Sequence, residues 1–226
     1  MKKAFTLIEL LICLAIISIT AAILFPIFNQ ARINTLKINS ISSIRQIGLA
    51  WKMYSEDYDD VLMRKFYDYQ HWFGNQNDSV LQNYINLKNA KDPLAFIVYT
   101  APKYWNGYGY NGAYLSPYDN NLRPIPITYQ QIENPSQTIV FGTVAGLFIV
   151  NNKEELYPMA EIHPPSYYFP TFHARYLNKG IVLWADLHTT VESPKNFLFN
   201  KKYINNNLGF IDKDNNPNTD ELFDLN

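Results

Sequence analysis

The sequence predicts an α+β protein in which one long N-terminal α-helix packs on a small antiparallel β-sheet domain with long loops. Three observations predict it. A nearly unbroken apolar run extends from Leu10 to Phe28; no Gly or Pro follows between Asn29 and Ile47; and short β-branched or aromatic runs bounded by turn residues are confined to the second half. A chain of 226 residues has room for one substantial core with an appendage. Its net charge of −1 argues against a strongly electropositive nucleic-acid binder. Hydrophobic residues make up 47%, which excludes disorder along the whole chain. With Cys13 as its one cysteine, the chain forms no internal disulfide.

The first element is a membrane-spanning helix. The 19 residues from Leu10 to Phe28 are enough to cross a bilayer at about 1.5 Å per residue. Lys2 and Lys3 precede the run, so the N-terminus is expected on the cytoplasmic side with the remainder exported. A secretory signal would be cut after small residues such as Thr20-Ala21-Ala22, yet the apolar run continues to Phe28. A plain signal anchor accounts for the lysines and the length but not for Glu9. A carboxylate costs on the order of 2.5–3.5 kcal/mol at the centre of a span, less near its edge, which points to a partner for it.

Glu9 belongs to Ala4-Phe5-Thr6-Leu7-Ile8-Glu9-Leu10, which resembles the processing signal of type IV prepilins and pseudopilins. The resemblance implies that a prepilin peptidase cuts between Ala4 and Phe5 and that Phe5 becomes the N-methylated terminus. The residue before the cut is more often Gly in that family; here it is the small Ala4. Glu9 is then expected to neutralise the terminal amine of a neighbouring subunit, where pairing two otherwise costly buried charges selects axial register. Pro26 either loosens the helix on packing into a filament, as in helices that resemble this one, or marks the membrane exit.

The second half of the helix is amphipathic. Ile33, Leu36, Ile44, Ile47, Trp51, Tyr54 and Tyr58 recur at steps of three and four or their sum, with Ser40 filling the one polar gap. The two halves predict one helix from about Phe5 to Asp57, roughly 80 Å long. Gly48 should weaken it by about 1 kcal/mol without breaking it, and the cluster Glu56, Asp57, Asp59, Asp60 opposes continuation beyond. The expected layout is a leader at 1–4, a transmembrane half at 5–28, an amphipathic half at 29–57, a globular domain at 58–203 and a polar acidic tail at 204–226.

Ser43-Ile44-Arg45-Gln46-Ile47-Gly48-Leu49-Ala50 and Tyr54-Ser55-Glu56-Asp57-Tyr58-Asp59 are similar to a large bacterial family of pseudopilin-like proteins that end in a His-X9-Asp-Gly element. Gly107–Tyr114 and Asn134-Pro135-Ser136-Gln137-Thr138 are similar to its middle region. The terminal element departs from the pattern: twelve residues separate His173 from Asp186, and Leu187 stands where the family has Gly. Within the domain, Thr138–Thr143 and Gly180–Trp184 read as strands, with Leu147–Val150 and His188–Glu192 as weaker candidates. Residues 100–135, rich in Pro, Gly, Asn and Tyr, read as a long ordered loop.

No motif anchors an enzyme. The sequence has no Gly-x-Ser-x-Gly elbow and no phosphate loop, and Cys13 lies in the membrane span. His173, Asp186 and His188 could ligate a metal, with the last two on one strand face, but without supporting motif spacing they read as a polar strand end. Asp212, Asp214, Asn216 and Asp220 place oxygen ligands at alternate positions like the start of a calcium loop, although Pro217 and Phe223 stand where such a loop needs Gly and Glu. No other cofactor is expected.

The expected function is assembly: a structural subunit of a type IV pilus or a type II secretion-like pseudopilus, inserted in the inner membrane, processed, and drawn into an extracytoplasmic filament by helix bundling. Its expected partners are prepilin peptidase, an assembly platform, the membrane, and copies of itself or other pilins. Two alternatives stay open. One is a minor pilin-like module that captures a ligand on an aromatic platform within 99–118, through Trp105 and Tyr108. The other is a membrane-anchored exported domain that never assembles.

Overall fold

Helix α1 runs unbroken from Leu7 to Asp57 in the computed structural model, about 76 Å at the standard rise. The structure describes residues 6–67, 70–73, 79–87, 89–95, 106–150, 152–167, 169–195 and 201–226. Helical structure continues through Pro26 without interruption. Its first part stands clear of the domain: from Leu7 to Arg32 every residue is exposed except the half-buried Ala21. Burial begins at Ile33 and becomes complete at Ser40, Ile44, Ile47 and Trp51, the stripe that the helical spacing predicted. Tyr58 departs from it; the residue is 53% exposed and stacks on Tyr54 at 4.4 Å. Beyond Asp57 two consecutive aspartates, Asp59 (φ 54°) and Asp60 (φ 62°), take the left-handed conformation that Asp tolerates better than most residues, and the helix stops.

After a short hairpin, β1 (Phe66–Tyr67) with β2 (Gln70–His71), the chain forms β3 (Tyr108–Tyr110) and β4 (Ile139–Thr143). A second hairpin, β5 (Gly146–Val150) with β6 (Lys153–Tyr157), precedes β7 (Phe172–His173), β8 (Gly180–Trp184) and β9 (Thr189–Glu192). A short helix, α2 (Lys201–Asn205), leads into β10 (Leu208–Gly209), which pairs with β7. The central sheet is antiparallel, in the order β3-β4-β8-β9. The span expected as a loop therefore contributes an edge strand. Tyr108-Gly109-Tyr110 reads as turn-forming, but pairing with Phe141–Thr143 holds it extended.

Both faces of the central sheet are covered. On β8, Ile181 and Leu183 join the cluster beneath α1, whereas Val182 and Trp184 join a second cluster with Ile211, Leu222 and Phe223. The segment expected as a polar acidic tail is thus part of the core. Phe223 is fully buried, its carbonyl accepts from Asn111 Nδ2 at 2.7 Å, and Leu222 O accepts from Ile139 N at 2.8 Å. Apolar residues flanking the Asp/Asn stretch, with these bonds to β4 and its neighbours, hold it against the sheet. Burial on both sides also explains why Gly180-Ile181-Val182-Leu183-Trp184 shows no alternation of polar and apolar residues.

Helix and sheet approach closely at Gly48, where a Cβ would lie 2.4 Å from Leu183 Cδ2 in the packed core. The glycine that weakens the isolated helix lets it settle on β8. The polar gap at Ser40 is filled in another way. Ser40 Oγ lies 3.0 Å from Asp92 Oδ2 and 2.8 Å from the Tyr108 hydroxyl. Asp92 Oδ1 accepts from the Tyr176 hydroxyl (2.7 Å) and from the amides of Leu94 and Ala95, and Arg175 Nη1 sits 3.7 Å from Oδ2. Asp92 is completely buried. Asp92→Ala should therefore cost about 3–5 kcal/mol by leaving Arg175 with an uncompensated buried charge. The exposed Glu154→Ala should stay within about 0.5 kcal/mol, both read by urea unfolding of the detergent-solubilised chain.

Candidate functional site

The helix start carries the residues singled out in the sequence. Ala4 and Phe5 lie outside the described residues. Thr6 is the N-cap of α1 and forms a reciprocal capping box with Glu9. Thr6 Oγ1 accepts from the Glu9 amide at 3.3 Å, while Glu9 Oε2 accepts from the Thr6 amide at 2.9 Å and from its hydroxyl at 2.7 Å. This cap satisfies donors that a helix end leaves open, and it fixes the Glu9 carboxylate beside the backbone nitrogen of the residue that follows Phe5.

Behind the cap, α1 presents its apolar side chains outward all round: Leu7, Ile8, Leu10, Leu11, Ile12, Leu14, Ile16, Ile17, Ile19, Ile23, Leu24, Phe25, Ile27 and Phe28 are each more than half exposed. The two hydroxyls within this run are satisfied inside the helix. Ser18 Oγ donates to Leu14 O at 2.7 Å and Thr20 Oγ1 to Ile16 O at 2.9 Å, so neither needs water. This is one helix long and apolar enough to cross a membrane. Chemically the surface can do one thing, which is to exchange water for lipid or for other apolar helices.

His173, Asp186 and His188 do not converge. His173 lies in β7, buried to 3% exposure, and Leu208 of β10 is opposite it. Burial holds its imidazole well below the ordinary range, aided by the charge of Arg175 and opposed by a backbone bond at Asn206. Asp186 and His188 sit in the β8–β9 turn rather than on a strand face, with Asp186 Oδ1 against His188 Nδ1 and the His188 ring stacked on Trp184 at 5.5 Å. Leu187, at the position where the resembling family has Gly, takes φ 70°. The turn thus holds a non-glycine residue in the left-handed region.

Of the four oxygen-bearing residues near the C-terminus, Asp212 and Asp214 approach one another, and Glu221, which the alternate-position pattern missed, completes the group. One carboxylate oxygen from each lies within 4.8 Å of the others. Asp220 faces elsewhere: it accepts from the Tyr114 hydroxyl at 2.7 Å and from the Ser166 amide at 2.9 Å, docking the segment on the domain. Asn216 bonds within its own turn, its amide to Asp214 Oδ1 and its Oδ1 to Asn218. No periodic signal could have found Glu221, because it is brought in by loop closure over residues 213–220. The aromatic platform is not realised in the described part of 99–118. Tyr108 and Tyr110 are wholly buried, with their hydroxyls bonded to Ser40 O and Met63 O, and Trp105 lies outside the described residues.

Residues 1–25 match the family model described as the prokaryotic N-terminal methylation motif. No curated protein and no solved structure matches the chain. The N-terminal segment thus carries a type IV pilin-like signal of the kind processed by prepilin peptidase, at the head of an apolar helix suited to membrane anchoring.

The buried histidines give the domain a defined acid sensitivity. His173 and the 8% exposed His163 both stay neutral in the fold below their ordinary value of about 6.5. The unfolded chain therefore binds more protons, and stability is lost as pH falls through that value. Melting temperature should drop between about pH 7.5 and pH 5.5, and His173→Gln should flatten the slope.

Proposed function

We propose that this chain is a structural subunit of a membrane-assembled filament, either a type IV pilus or a type II secretion-like pseudopilus. The observation that carries the reading is a single continuous helix with two environments. Its first 22 residues, Leu7–Phe28, are apolar apart from Glu9, Ser18 and Thr20 and stand away from the domain, while its last turns are locked into the core. Burying one large aliphatic side chain is worth about 1.5–3 kcal/mol, so such a surface calls for lipid first and for neighbouring helices afterwards.

In this reading, prepilin peptidase cuts between Ala4 and Phe5 and methylates the new Phe5 amine. The carboxylate of Glu9, held at the helix start by Thr6, is offered to the amine of an adjacent subunit. That pair forms in an apolar bundle, where either charge alone would be costly, so it fixes the axial step between subunits. Pro26 lacks the amide that would bond four residues back, which leaves α1 a point where it can bend as helices pack. The partners are the peptidase, an assembly platform in the inner membrane, and copies of this chain or other pilins. The globular domain lies on the exported side. Burial of Tyr108 and Tyr110 counts against the ligand-capturing alternative.

Intact mass and N-terminal peptide analysis of the protein from native membranes should show a chain beginning at N-methylated Phe5. Glu9→Ala should leave cleavage and membrane level unchanged but abolish sedimentable filaments. An intact Met1, or no sedimentable filaments even from the wild-type chain, would leave a membrane-anchored domain that does not assemble; unchanged filament assembly by the Glu9 variant would overturn the registering role of Glu9.

A further inference from the structure

We propose that the loop at 117–125 of one copy plugs into a cavity beside the β5–β6 hairpin of a neighbouring copy, with Leu122 as the knob; the inference rests on reading the chain as a filament subunit. Leu122 is 82% exposed, more than any other large apolar side chain among the described residues. A lone exposed leucine is ordinary, but this one stands at φ 59°, where a bulky residue is rare. The loop is built to hold it there. Asp119 Oδ1 accepts from the amides of Asn121 and Arg123, each at 2.8 Å. The Asp119 amide donates to Arg123 O (2.8 Å), Leu122 N to Asp119 O (3.0 Å), and Ile125 N to Pro117 O (2.9 Å). Backbone strain of this kind persists only where its surroundings over-determine it, and it gathers at functional positions.

The socket is a cavity of about 510 Å³ between the hairpin and the segment that follows it. Phe148, Ile149, Tyr157 and Met159 supply apolar walls, and Glu161 and His163 polar ones. Phe148 is 44% and Ile149 74% exposed, so the hairpin leaves apolar surface uncovered at this point. A volume in the range of ordinary ligand pockets, about 300–1,000 Å³, takes Leu122 with room for the exposed Ile125 behind it. The charges match as well. Glu161 is paired with Lys65 at 3.1 Å, but Glu154 and Glu155, opposite Ile149 and Phe148, join no ion pair among the described residues. One cation, Lys153, stands with them opposite Val150. Beside the knob, the exposed Arg123 likewise joins no ion pair among the described residues. The knob is thus apolar and cationic, and the socket apolar with an acidic rim, a pairing that steers encounter and fixes register.

Placement makes a second copy the fitting occupant. The knob loop leaves the domain beyond the end of α1, where Leu62 N donates to Ile127 O and Tyr129 N to Asp60 O. The hairpin leaves it nearer Ser40: Val144, just before β5, donates its amide to Gly107 O, and the adjoining Tyr108 reaches Ser40 O with its hydroxyl. Knob and socket are therefore different patches at different levels of α1. A contact between unlike patches is heterologous, so every copy that fills a neighbour's socket leaves its own open for the next. Such a contact propagates along an open helical assembly and does not close on a pair.

The test uses the full chain in its native membranes, with Cys13→Ala removing the natural thiol. Leu122→Cys and Ile149→Cys together should give, with a bismaleimide reagent, a ladder of cross-linked dimers, trimers and longer products on denaturing gels. Either cysteine alone should give none, and the two single variants expressed together should stop at dimers. Arg123→Glu should cut the ladder about tenfold, and adding Glu154→Arg should restore it. Leu122→Gly suits φ 59° and should not lower the melting temperature, yet it should cut sedimentable filaments about tenfold. Absence of the ladder, cross-linking by Leu122→Cys alone, or a wild-type yield of filaments from Leu122→Gly would overturn the contact. The filament reading stands or falls separately, on the N-terminus and sedimentation of the wild-type chain.

Discussion

The Asp92 carboxylate is where helix and domain become one body. It sits fully buried between Ser40 on α1, the Tyr176 hydroxyl, the amides of Leu94 and Ala95, and Arg175. A buried charge is tolerated only when its lone pairs are met, so each partner constrains the others. Ser40 can meet it in only one axial position of the helix, because a shift by one residue would carry an isoleucine or an asparagine to that spot. Gly107 shows how tight the arrangement is: at φ 87° a Cβ there would fall 2.5 Å from Ala95 Cβ and 2.8 Å from Asp92 Cβ. Apolar packing of Ile44, Ile47 and Trp51 supplies much of the driving force. The polar network supplies the registration that apolar surfaces, which slide, do not.

That registration matters because of what lies at the other end. A helix held at Ser40 and Gly48 projects its first turns far from the domain as a lever, with Glu9 near the tip. If axial register between subunits is set by a charge at Glu9, the position of each domain along the assembly follows from how firmly its own helix is held. A loosely docked helix would let the tip find its partner while the domain wandered. The buried network and the Glu9 carboxylate are thus two ends of one mechanical element, stiffened by i to i−4 bonding along the helix with one bond missing at Pro26.

Much of this was legible in residue spacing. The helix end at Asp57, the buried stripe from Ile33 to Trp51, and the strands at 139–143 and 180–184 all rest on local periodicity or on breakers, and local signals survive in a single sequence. Strand β3 was not legible, because its two strand-favouring tyrosines are set among Gly and Asn in a run of three residues, and pairing with β4 is what holds it extended. Asp92 was silent for the same reason, one acid among polar neighbours whose partners are 52 and 84 residues away. The C-terminal segment misled through composition: its Asp and Asn residues conceal Leu208, Phe210, Ile211, Leu222 and Phe223, which carry its burial.

One signal did point to that packing. A half-exposed strand alternates, and Gly180–Trp184 does not, so something had to cover its second face. On that side Ile139, Val182 and Trp184 pack with Val144, Ile162 and Phe172, and Ile211, Leu222 and Phe223 of the C-terminal segment complete the cluster. The chain's last residues are the ones that arrive, and they arrive with Asp212 and Glu221 on either side of an eight-residue polar loop. Covering the sheet with a segment rich in acids trades one problem for another, since apolar closure brings the buried Asp212 up to the half-buried Glu221 and the exposed Asp214. The sheet's need for a second apolar layer and the convergence of three carboxylates are therefore consequences of one folding event.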